Sequence, residues 1–72
     1  MSTLRVYQKD QVLGDISLTE DVMVFSTDDV AGLVADIKEG HFSPYAPDKV
    51  VFNELPRMLN GGMLECRGID DG

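Results

Sequence analysis

Cysteine and histidine are scarce in this sequence: Cys66 and His41 are single occurrences in 72 residues. One thiol excludes an intramolecular disulfide. One thiol and one imidazole also fall short of the roughly four Cys/His ligands of a structural zinc site. A chain of this size buries only about 60% of the surface its unfolded form exposes, and such small domains ordinarily add a disulfide, a metal or a partner. With the first two excluded, efficient packing or self-association remains. Long apolar runs are missing as well. No stretch approaches the ~20 apolar residues of a membrane span, and Met1 to Tyr7 holds no apolar segment of the signal-peptide kind. Together with the lone thiol, this predicts a soluble protein of the reducing cytoplasm. Cations are the third scarcity: six Lys/Arg stand against thirteen Asp/Glu, for a net charge of −7. They are scattered, without the clustered basic footprint of a nucleic-acid binder, and the negative field repels phosphates and anionic membranes. Direct binding to nucleic acid or to a membrane is therefore not expected.

What is present is acid, unevenly placed. Residues 14–39 carry seven carboxylates against Lys38 alone, whereas residues 1–13 carry Arg5 and Lys9 against Asp10. A field concentrated in the middle third favours a partner with a basic surface, with Asp15, Asp21 and Asp36 as candidate contacts. The plain alternative is that the charge only keeps the protein soluble.

The order of elements follows from periodicity. Leu4 and Val6 alternate with Arg5 and Tyr7, as in a half-buried strand. After the polar Gln8-Lys9-Asp10-Gln11, the run Val12 to Leu18 places Val12, Ile16 and Leu18 on one face and Leu13, Asp15 and Ser17 on the other. The two runs predict a β-hairpin, with Gly14 marking a bulge. Val22-Met23-Val24-Phe25, apolar on both sides, predicts a central third strand. Val30, Leu33, Val34 and Ile37 recur at i, i+3, i+4 and i+7, the stripe of a helix. Ser26 or Thr27 can cap it, Asp28 and Asp29 suit its N-terminal dipole, and Gly40 can end it, giving a helix over about 27–39. His41 to Pro47 is irregular because of its two prolines. Lys49 to Phe52 predicts a fourth strand, 54–59 a short helix capped by Asn53 with Pro56 in its first turn, Asn60-Gly61-Gly62 a turn, and Met63 to Arg67 a last strand. The reading is an α+β fold: a small mixed or antiparallel sheet of four to five strands with one main helix packed on a face, in the order β-β-β-α-β-short helix-β. It forms one compact domain over 1–72, with 68–72 a frayed tail.

No constellation for chemistry emerges. Cys66 and His41 are the only nucleophile-base pair available. Cys66, however, alternates with Glu65 and Arg67 as a core residue would, and neither residue has a flanking signature. The acidic pairs lack the spacing of a calcium loop, and Asn60-Gly61-Gly62 lacks the Lys and Ser/Thr of a phosphate loop. No catalytic residue, metal site or cofactor is assigned. The loop from His41 to Pro47, which carries His41, Phe42 and Tyr45 with two prolines, is the other candidate contact site, since aromatics on a constrained loop offer contact area at low entropy cost. Its bland alternative is that Phe42 and Tyr45 fold back over the core. These features predict a non-enzymatic acidic module that binds a protein partner as a regulator or inhibitor. Two alternatives are an acidic mimic of nucleic acid that blocks a DNA- or RNA-binding protein, and a ubiquitin-like carrier. The carrier is disfavoured by the ending Asp70-Asp71-Gly72.

Overall fold

A computed structural model describes residues 2–69. Alternation builds the first hairpin: β1 (Ser2–Gln8) runs antiparallel to β2 (Gln11–Thr19), with Leu4 opposite Ile16 and Arg5 opposite Asp15. A turn with Glu20 and Asp21 both at positive φ (52° and 66°) leads into β3 (Val22–Phe25). Two positive φ values in a two-residue loop match the right-handed twist of the flanking strands. Next come α1 (Asp28–His41), α2 (Asp48–Leu59) and β4 (Leu64–Gly68), the last pairing antiparallel with β1. The sheet order is β3-β2-β1-β4, antiparallel throughout. Both helices lie on one face. Leu4, Val6, Ile16 and Met23 from the sheet, with Cys66, form a single cluster with Val30 and Val34 of α1 and Val51, Phe52, Leu55 and Leu59 of α2.

The α+β class and the antiparallel sheet agree with the sequence, and several details differ. The segment 49–52 is not a strand. Its apolar run belongs to a helical stripe in which Val51, Leu55 and Leu59 recur every four residues beside Phe52, while Val50 points outward. Pro47 takes the N-cap position and Asp48 the first turn, so α2 begins six residues earlier than expected and Pro56 lies well inside it. Two helices, not one, therefore cover the sheet. β3 is an edge strand rather than a central one: Met23 faces the core, and Val22 and Val24 lie about half exposed on the open face.

The bulge foreseen at Gly14 is present, as a register shift opposite Val6 and Tyr7. It also reverses the strand's faces: Val12 turns outward and Leu13 packs on the core. Gly14 (φ +155°) is required here for space as well, since a Cβ would stand 2.5 Å from Thr27 Oγ1. Thr27 is the N-cap of α1. Its hydroxyl accepts from the Val30 N–H (3.4 Å) and donates to the Leu13 carbonyl (2.9 Å), which pins the helix start onto the bulge. α1 then runs through Gly40 and ends at Phe42, whose N–H donates to the Lys38 carbonyl. Gly40 is thus helical and not the terminator.

Both sheet edges are tied down by side chains. Asp48 Oδ2 accepts from the Met23 N–H at the β3 edge (3.0 Å). On β4, the Asn60 amide brackets Cys66, accepting from its N–H (3.2 Å) and donating to its carbonyl (3.3 Å), and the same amide donates to the Pro56 carbonyl of α2. Occupied edge groups leave less template for a stray strand. Gly68, expected in a tail, closes β4 instead, and Ile69, just past the strand, donates its N–H to the Thr3 carbonyl (3.0 Å). The rest of the expected tail, 70–72, on which the carrier alternative turned, lies outside the described residues.

Candidate interaction surface

The helix-turn-helix connection separates the two aromatics that the sequence offered as a pair. His41 occupies the exposed last turn of α1. Phe42 caps the helix and packs against the core, as does Ala46. Between them Ser43-Pro44-Tyr45-Ala46 forms a tight turn, with the Ala46 N–H on the Ser43 carbonyl (3.0 Å) and the Tyr45 N–H on Ser43 Oγ (3.1 Å). Proline at the second position and serine at the first are the residues such a turn favours. The turn projects Tyr45 into solvent, 91% exposed. Phe42 therefore covers the core and Tyr45 does not.

The three carboxylates proposed from sequence are not brought together. Asp15 lies on the open sheet face, where Arg5 grips it through two bonds (2.9 and 3.2 Å). Asp21 sits in the β2–β3 turn, and Asp36 on the exposed side of α1, across the sheet from Asp15. Asp36 instead shares a helix face with Asp28 and Asp29, eight and seven residues before it along α1 and all exposed. Among the described residues, no cation lies within ion-pair distance of Asp28, Asp29 or Asp36.

These three line one wall of an open groove of about 740 Å³ between α1 and the turn that enters β4. Its floor is apolar: Leu13, Leu33 and Leu64 are half-buried there, and Met63 is 56% exposed. Leu33 was expected on the buried stripe and is instead shared between core and groove. From sequence, Asp28 and Asp29 suit the helix dipole and Met63 begins the last strand; in the fold all three line the groove, and β4 starts at Leu64. The seven-residue spacing of Asp29 and Asp36 was the available signal that the acids share a face.

Cys66 points into the core beneath α2, and burial pushes its thiol up to about 11. A thiol held neutral at physiological pH is a poor nucleophile, and no hydrogen bond joins it to His41 among the described residues. No three Asp, Glu, His or Cys side chains converge as metal ligands among the described residues, and no helix there is long and apolar enough to cross a membrane. No family model, curated protein or solved structure matches this chain, so its own geometry is the ground for a functional reading.

Proposed function

We propose that this protein is a non-enzymatic interaction module of the cytoplasm that regulates or inhibits a protein partner through the acidic outer side of α1, the partner presenting a basic surface. The observation that carries the reading is the unneutralised set Asp28, Asp29 and Asp36 around an apolar floor. Arg5, Arg57 and Arg67, half of the chain's cations, pair with carboxylates elsewhere, so the field of α1 is left standing. Complementary fields of this kind act chiefly on the rate of encounter. The test compares capture from a soluble extract by immobilised wild type and by Asp28→Lys/Asp29→Lys/Asp36→Lys, at low and high salt. Basic proteins retained by wild type at low salt, and lost with salt or with the reversal, support the reading. Retention of the same proteins by both, at either salt, overturns it.

A further inference from the structure

Resting on that reading, the geometry points to a specific guest for the α1 groove: an extended segment of a partner with the pattern cation-x-apolar-x-cation. Spacing leads to this pattern. Asp28 and Asp36 are eight residues apart on one helix, about 12 Å along its axis. An extended chain advances about 13 Å from residue i to i+4, with i, i+2 and i+4 on one side. One Lys or Arg then faces Asp28 and Asp29 while the other faces Asp36. The middle side chain falls between them, over the floor of Leu13, Leu33, Met63 and Leu64.

The walls permit so close an approach. Gly32, midway along the acidic side, and Gly61, on the opposite wall, both line the groove, and beyond its own adjoining backbone neither has a heavy atom within 4 Å of where a Cβ would stand. A guest backbone can therefore lie low enough for its apolar side chain to touch the floor. A purely acidic surface would select any polycation. The exposed Met63 amid half-buried leucines adds an apolar requirement, since a Leu-sized side chain laid over that floor is removed from water together with it.

The probes are two synthetic peptides, acetyl-Gly-Arg-Ser-Leu-Ser-Arg-Gly-amide and its analogue with Ser in place of Leu, titrated into the isotope-labelled 72-residue chain and followed by amide chemical shifts. The Leu peptide is expected to bind about tenfold more tightly than the Ser analogue, with the largest shifts at Gly32, Leu33, Gly61 and Met63. Asp36→Lys is expected to weaken it about fivefold, and Met63→Ser, a change at an exposed position, to erase the preference for Leu. Equal, salt-sensitive binding of both peptides with shifts spread along α1 overturns the groove and leaves the acidic-surface reading standing. So does failure of both peptides while salt-sensitive capture of basic proteins persists. Absence of any salt-sensitive binding of basic peptides or proteins overturns both.

Discussion

The open face of the sheet and the outer side of α1 are both charged, yet they handle charge in opposite ways. On the sheet, Arg5 stands directly across from Asp15 on one neighbour and from Arg67 on the other. Each arginine is held by a carboxylate, Asp15 or Glu65, and the Arg67 guanidinium also lies 5.5 Å from the Tyr7 ring centroid. The face is a patchwork of closed pairs whose field cancels within a few ångströms. On α1, Asp28, Asp29, Asp36 and Glu39 face solvent with Lys38 and His41 confined to the last turn. Exposed ion pairs contribute little to stability, commonly under about 1 kcal/mol, so the contrast concerns what each face offers a partner. A neutralised surface steers nothing, and a surface with unmatched charge reaches out over about a Debye length, roughly 8–10 Å at ordinary ionic strength.

The comparison holds only if α1 sits where the core fixes it, and the largest expected effect comes from breaking that seat. Val34, on the buried side of α1, is 1% exposed. Val34→Asp buries an unpaired charge at a cost of several kcal/mol, which matches the ~3–5 kcal/mol that a core of this size supplies. The variant is expected to be unfolded by circular dichroism at room temperature, and a cooperative melt near that of wild type would show that α1 is not packed this way. Gly14→Ala comes next because it strikes the junction between the two regions. The new Cβ meets Thr27 Oγ1 at 2.5 Å, so the cap must give way, and a left-handed φ is strained for alanine. Loss of a cap is worth about 1 kcal/mol and backbone strain about 1–3 kcal/mol, for a fall in Tm on the order of 10 °C. Thr27→Ala alone is expected to lose about half as much.

How these regions were visible in the sequence follows from how local their signals are. α1 was legible because stripe, cap and first-turn acids all fall within fifteen residues, and only its end was misplaced, since Gly40 tolerates a helix as well as ending one. The strand expected at 49–52 failed because four apolar residues fit either period. Only the repeat of Val51, Leu55 and Leu59 separates helix from strand, and Pro56 argued against reading through it. Val12 and Leu13 exchanged faces because a bulge shifts the two-residue alternation without altering composition. The candidate site was half legible. Asp36 was singled out, but the groove also needs Leu13 and Met63. Such distant walls meet only once the sheet order and the second helix are known.

A smaller effect is expected at the β4 edge. Asn60→Ala removes the amide that brackets Cys66 and reaches the Pro56 carbonyl. The site is partly open to water, which can replace lost partners, so the cost is about 1 kcal/mol. Its signature is local: hydrogen exchange at the Cys66 amide should accelerate more than exchange at the core of β1. Uniform acceleration across the sheet would mean that the bracket supports the whole fold rather than an edge.

The smallest expected effect bears most directly on the contrast between the two charged regions. Asp28 and Asp29 have a structural reason to exist, because negative charge in the first turn is favoured by the helix dipole, by about 0.3–1 kcal/mol each. Asp36 has no such reason. It lies too far along α1 for the N-terminal dipole, it has no cation partner among the described residues, and Glu39 is three residues on, a like-charge pair that costs about 0.2–0.5 kcal/mol. Asp36→Asn keeps the shape and a similar helix propensity while relieving that repulsion. It is therefore expected to raise Tm by about 1–3 °C at low salt, with the gain fading as salt screens the pair. A loss of stability at low salt would mean that Asp36 has an attractive role within the fold, and the carboxylates of α1 would then be as internally committed as those of the open face. A gain in stability accompanied by weaker binding of the Arg-Ser-Leu-Ser-Arg peptide would mark Asp36 as a charge kept at a cost to the fold, and binding is the function that such a residue would serve.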